Sequence, residues 1–246
     1  MNNQSDRCKN CERQIQGAFC SYCGQRTSVD RVTFRETMGD LADSMFSLSA
    51  PLWTTLGGLF TNPGKLLREF LAGRRKRYYK PVTFFILTTI VYLLSKSLLD
   101  YNPLIEASPR TTNTIDPTIF YQASQFMFAH IDKILFFFVF TLALSMKIFF
   151  YRTYSLAEYV AVSFYLLGVY TLLSTLKIYV YTFVTQQFET FPMVLMLAYF
   201  LWAMASLFQK NKLLVVFKAL FTYLLGFVLY IICGMGLSLL IVLLGV

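Results

Sequence analysis

Residues 74–99 read R-R-K-R-Y-Y-K-P-V-T-F-F-I-L-T-T-I-V-Y-L-L-S-K-S-L-L. Five cations, Arg74, Arg75, Lys76, Arg77 and Lys80, stand directly before an apolar stretch, Val82–Leu99, interrupted only by Lys96. A helix needs roughly 20 predominantly apolar residues to cross the hydrocarbon of a bilayer. Cations massed beside such a helix mark its cytoplasmic end. The stretch therefore predicts a membrane helix entered from a basic cytosolic segment.

Four more apolar runs follow, at about Ile134–Phe150, Leu156–Leu176, Phe191–Phe208 and Ala219–Leu244. The expectation is an all-α membrane protein with about five transmembrane helices over residues 82–246. Composition agrees. Only 14% of the 246 residues are charged and 56% are hydrophobic, with mean hydropathy +0.54, whereas a soluble domain carries about 25% charged residues. Two regions read ambiguously. Residues 177–190 suit either an extension of the third span or an interfacial segment. The run from Leu213 leaves room for a re-entrant turn near Gly234 and Gly236. Residues 100–133, rich in Asn, Pro and Thr, read as the longest loop.

Charge sets the orientation. Of 22 Lys and Arg, 13 precede residue 81. Lys147, Arg152, Lys210, Lys212 and Lys218 fall in or beside two further turns that share that side if the spans number five. The positive-inside rule then places the N-terminus in the cytoplasm and Val246 outside. Residues 1–30 lack the apolar core of a signal peptide, so insertion is expected to use an internal span.

Upstream of the basic run the sequence predicts two amphipathic helices within residues 31–81. Over 33–48, Phe34, Met38, Leu41, Met45 and Leu48 form one stripe at helical spacing, and Thr33 with Glu36 makes a capping box. Over 63–72, Asn62 is the N-cap, Pro63 takes the first helical position, and Gly73 is placed to end the helix. Leu66, Leu67, Phe70 and Leu71 are its apolar face. Residues 52–60 are apolar but too short to span.

The first 30 residues carry a different chemistry. Cys8, Cys11, Cys20 and Cys23 are spaced C-x2-C, eight residues, C-x2-C. Two such turns present four soft thiolates to one ion, which is the donor set of a closed, structural zinc site. A redox pair is the competing reading, but a disulfide needs the oxidising side that the charge distribution rejects. Four thiolates around Zn2+ leave a charge of −2, and Arg7, Lys9, Arg13 and Arg26 stand nearby to offset it. So short a segment has almost no core and depends on its metal to fold.

Lys65 and Arg68 fall one helical turn from the run Arg74, Arg75, Lys76, Arg77 and Lys80, with Tyr78 and Tyr79 suited to the interface. Read together they form a candidate belt for anionic lipid headgroups of the cytosolic leaflet. Each cation there contributes roughly 1 kcal/mol. The plainer reading is a topogenic anchor. Nucleic acid is disfavoured as a partner, because few aromatics suited to base stacking accompany the cations. The span cores hold almost no ionisable groups, and no nucleophile with its base, H-E-x-x-H pattern or phosphate-binding glycine loop is legible.

Several separated motifs run in order: Cys8-x2-Cys11, Cys20-x2-Cys23-Gly24-Gln25, Thr33-Phe34, Leu59-Phe60, Asn62-Pro63-Gly64-Lys65, Arg68-Glu69-Phe70-Leu71, Gly73-Arg74-Arg75-Lys76-Arg77-Tyr78 and Pro81. Over about the first third of the chain this resembles a bacterial family known as a domain of unknown function, number three-six-six-seven. The resemblance implies an N-terminal zinc ribbon, several membrane helices and a bacterial inner-membrane location. It implies no reaction. Residue by residue and by resemblance together, the chain reads as a membrane adaptor or regulatory protein whose cytosolic zinc ribbon docks a protein partner. The alternative reading is a lipid or small-molecule translocation protein whose basic belt receives headgroups.

Overall fold

The computed structural model describes residues 7–15, 17–27, 50–101, 119–183, 191–209 and 211–244. The helix expected over 33–48 lies outside the described residues, as does half of the long loop, residues 102–118. Eight helices make up the described chain beyond the cysteine segment: α1 Ala50–Thr61, α2 Pro63–Leu71, α3 Pro81–Leu98, α4 Ile119–Ala129, α5 Ile131–Phe149, α6 Leu156–Phe183, α7 Phe191–Phe208 and α8 Lys212–Leu244. By length and composition α3, α6 and α8 can cross a membrane, and Ile134–Phe149 and Val194–Phe208 are shorter apolar helices. At 1.5 Å per residue, α6 and α8 extend about 42 and 50 Å, well beyond a hydrocarbon core of about 30 Å.

The bundle is built around α6. Its apolar window is 72% buried against 22% for that of α8, so α6 is the axis and α8 a peripheral helix with much of its surface outward. Helix α3 runs parallel to α6 along its length. Glycine makes the approach possible: a Cβ on Gly168 would come within 2.5 Å of the Phe84 ring. One turn on, Thr171 donates a hydrogen bond to Thr88 at 2.8 Å inside the contact. Without water, such pairs and close packing hold helices together in place of a hydrophobic driving force. Other buried hydroxyls bond to the carbonyl one turn back, as Ser145 does to Thr141 and Thr175 to Thr171. Helix α8 runs antiparallel to α5, with Gly226 against the Leu142 backbone and Phe138 between Tyr223 and Tyr230.

Local capping gathers the helix ends at one end of the bundle. Ser155 and Glu158 form a capping box at the start of α6, with Glu158 Oε2 accepting from the Ser155 N–H at 2.7 Å. Lys147 Nζ donates to the carbonyls of Tyr151 and Tyr154 beyond the C-terminus of α5. Tyr159 donates to Phe150 O, and the Phe150 ring stacks on Phe208 at 4.3 Å. Buried Tyr165 donates to Tyr79 O. The starts of α3, α6 and α8 and the ends of α5 and α7 thus meet at the end that carries residues 74–80.

The structure decides two regions that the sequence left open and adds a helix to the expected loop. The third span, α6, continues into the ambiguous region as far as Phe183, the extension that the sequence allowed. Its extra turns zip onto the end of α3, with Lys177 donating to Tyr101 at 2.9 Å and Tyr181 packed edge-on against the Tyr101 ring. The last helix begins at Lys212 and passes Gly234 and Gly236 unbroken, because Gly234 admits Ile134 and Met127 rather than a turn. The expected loop contains α4, whose Met127 takes that place beside α8.

Candidate metal centre

The cysteine segment is a local repeat at a spacing of twelve residues. Within the first unit the Cys8 N–H bonds to Arg13 O at 2.7 Å and the Glu12 N–H to Cys8 O at 2.8 Å. In the second, the Cys20 N–H bonds to Gln25 O and the Gly24 N–H to Cys20 O, both at 2.8 Å. Isolated bridges Arg7–Gln14 and Phe19–Arg26 close the two hairpins. Each turn needs a left-handed residue after its second cysteine. Gly24 supplies it at φ +67°, and Glu12 adopts it at φ +63° at the cost that any non-glycine bears there.

The two turns face each other. All four Sγ atoms lie within 4.8 Å of one another, with Cys8–Cys23 and Cys11–Cys20 at 3.6 Å. Tetrahedral zinc with Zn–S bonds of about 2.3 Å spaces its sulfurs about 3.8 Å apart. The backbone supports thiolates. N–H groups of Cys23 and Tyr22 pull the Cys20 thiol down to about 6. The Arg13 N–H acts on Cys11 in the same sense, but desolvation and the three neighbouring sulfurs carry that thiol up to about 12. Four sulfurs this close cannot all be ionised unaided, and a divalent cation removes the conflict. The four residues fit a closed, four-coordinate metal site.

The cysteine segment rests on the basic run. The Gln25 side chain bridges it, Nε2 donating to Gly73 O at 2.8 Å and Oε1 accepting from the Lys76 N–H at 3.3 Å. Glu12, the residue held at positive φ, pairs with Arg74 at 3.1 Å. The Lys76 ammonium lies near Gly24, the residue after Cys23. The spacing of the cysteines gave no hint of Gln25 as the joint. Its role depends on a carbonyl and an N–H 48 and 51 residues away.

The candidate headgroup cations do not form one face. Arg74 and Arg77 converge on Glu69, each at 3.5 Å, and Tyr78 donates to Glu69 Oε2 at 2.7 Å. Lys80 is the N-cap of α3. Arg68 turns the other way. Its Nη1 donates to Leu207 O at 3.0 Å and to Ser206 O, closing the C-terminus of α7, where a cation suits the helix dipole. Lys65 is exposed. Helix α2 itself is ended by Gly73 at φ +104°, with the Arg74 N–H reaching back to Glu69 O at 2.9 Å.

Glu69 is the acid that holds the run together. The Tyr78 hydroxyl, then Arg77 and Arg74, keep its carboxyl below the usual range against a smaller opposing effect of burial. Tyr78 is pushed up to about 12 by burial and by Glu69. A carboxyl with a lowered folded-state pKa stabilises fully above the unfolded value of about 4.3 and less as pH falls through the folded one. Glu69→Gln is therefore expected to lower Tm at pH 7, and the gap from wild type to shrink as the pH is taken toward 3. A constant gap across that range would show that the charge of Glu69 has no part in it.

The segment that carries these contacts has relatives. Residues 50–93 match the model of a family described as protein of unknown function (DUF3667). No curated protein and no solved structure matches the chain. The DUF3667 stretch begins with α1, runs through α2 and the basic segment, and ends within α3. It contains Arg68, Glu69 and Gly73, which make the contacts just described. The cysteine segment lies before it, and the stretch supplies the surface on which that segment sits.

Proposed function

We propose that the protein is a membrane-anchored docking protein. Its cysteine segment holds a structural zinc ion at the cytosolic face of a bacterial inner membrane, and the hydrophobic helices supply a five-span anchor with Val246 outside. The observation that carries the reading is the joint between the cysteine segment and the basic run, made by Gln25 and by Glu12–Arg74. A closed metal site performs no chemistry, but it holds two hairpins rigidly on the juxtamembrane segment. Phe19 and Tyr22 then stand outward, 57% and 63% exposed, each with an arginine against its ring. Exposed aromatics and arginine are the residue types that anchor protein partners.

The test is a paired substitution, Phe19→Ala with Tyr22→Ala. It is expected to leave bound zinc at one ion per chain and to abolish retention of a partner that the wild-type protein holds by in-cell crosslinking. Thiol labelling that finds Cys8 accessible only from outside the cell, or a purified protein without metal, overturns the reading. So does a crosslinking pattern that the paired substitution leaves unchanged.

A further inference from the structure

At the end of α7 lies a hollow of about 570 Å³, lined by Asn62, Arg68, Trp202, Ser206, Gln209 and Lys212. It opens between the start of α2, the end of α7 and the start of α8. Its charge is one-sided. Arg68 and Lys212 both face it, and its lining includes no acid. After Glu189 the sequence contains no Asp or Glu at all, so α7 and α8 bring none. Among the described residues, Glu69 is engaged with Arg74, Arg77 and Tyr78, and Glu158 caps α6.

Lys212 stands at the first position of α8. A helix begins with unpaired N–H groups and a partial positive charge, so a lysine there costs about 0.3–1 kcal/mol unless an anion is present. Arg68 nearby adds to that potential. The hollow also has an apolar side. Trp202, 43% exposed, stands about one and a half turns up α7 from Phe208. Tryptophan settles at the level of lipid headgroups. The hollow is polar and basic toward the helix ends and aromatic toward the hydrocarbon, in the order that an amphiphile presents its phosphate and its chains.

We propose that this hollow binds the phosphodiester of an anionic glycerophospholipid, with Lys212 and Arg68 on the phosphate and Trp202 beside the glycerol and upper acyl chain. The proposal rests on the membrane reading above, but not on zinc or on a docking partner. It places the lipid site apart from Arg74, Lys76 and Arg77, which face Glu69, Glu12 and the cysteine segment.

Trp202 is its own reporter once Trp53→Phe removes the other tryptophan. The full chain is reconstituted in bilayers of phosphatidylcholine with a small fraction of phosphatidylglycerol, one lipid or the other brominated in its acyl chains. Brominated phosphatidylglycerol is expected to quench Trp202 well beyond its share of the bilayer. Lys212→Glu, at an exposed position, is expected to cut that preference by at least about five-fold, with zinc content unchanged and Tm not lowered, since an acid suits the start of a helix. Quenching by the two brominated lipids in proportion to their abundance overturns the proposal, as does a preference that Lys212→Glu leaves intact. Millimolar inorganic phosphate is expected not to relieve the quenching. Complete relief would assign the hollow to a soluble phosphate and overturn the lipid assignment. Failure of the docking reading is read separately, from metal content and crosslinking.

Discussion

Cys20→Ser is expected to empty the cysteine segment of metal and to release it from the basic run. Structural zinc contributes about 10–16 kcal/mol of apparent binding energy to small thiolate domains, and that energy is their folding energy. The two hairpins here have little else. Their buried apolar surface amounts to the cysteines themselves, and Phe19 and Tyr22 point outward. With one sulfur replaced, the remaining three cannot close the site. The hairpins then lose the geometry that presents Gln25 to Gly73 and Lys76, and Glu12 to Arg74. The expected results are one zinc per chain in the wild type and none in the variant by metal analysis. New tryptic cleavage at Arg74–Lys80 is expected to accompany the loss, while the helix content of the bundle stays constant. Full zinc retention in Cys20→Ser would contradict the four-sulfur site. Loss of zinc with no change in cleavage would show that the basic run does not depend on its cover.

Among the described glycines, Gly64→Ala is expected to be the most damaging addition of a single methyl group. A Cβ there would lie 2.2 Å from the carbonyl carbon of Ser206 and 2.4 Å from its oxygen. Backbone cannot swing aside as a side-chain end can, so α2 must lift from α7. Overpacking of this kind costs about 1–3 kcal/mol. The lift also breaks the hydrogen bonds of Arg68 to the end of α7 and of Ser206 Oγ to Asn62 Oδ1, each worth about 1 kcal/mol. The total is about 3–5 kcal/mol, read as a large drop in Tm in detergent. Gly57→Ala is the control. No atom lies within 4 Å of a Cβ at that position, and alanine is the better helix former by about 1 kcal/mol, so this variant is expected to be at least as stable as wild type. Equal losses at the two positions would mean that helix propensity, not the α2–α7 contact, sets the response.

Gly64 illustrates what a sequence conceals. The run Asn62-Pro63-Gly64-Lys65 announces a helix start through an N-cap and an N1 proline, and the structure has both, with Asn62 Oδ1 accepting from the Lys65 N–H at 3.1 Å. Nothing local says that the glycine makes room for the end of a helix 142 residues away. The cations show the same limit. Charge counting places Arg68 and Arg74 on one side of the membrane, and in the fold both stand at one end of the bundle. Only packing reveals that they face different partners. Conversely, Ser155 and Glu158 carry a capping signal that is legible at spacing three and marks the start of α6.

The sequence alone determined the helical class, the apolar stretches and the four-cysteine donor set, because hydropathy and ligand spacing are short-range properties written in consecutive residues. Tertiary structure alone decided that α6 is the axis and that Gln25 joins the cysteine segment to the basic run. It also decided that Arg68 and Lys212 meet beside Trp202. Those arrangements depend on which helix faces approach one another, and a helix face becomes a neighbour only when close contacts such as Gly168 on Phe84 and Gly64 on Ser206 fix the packing.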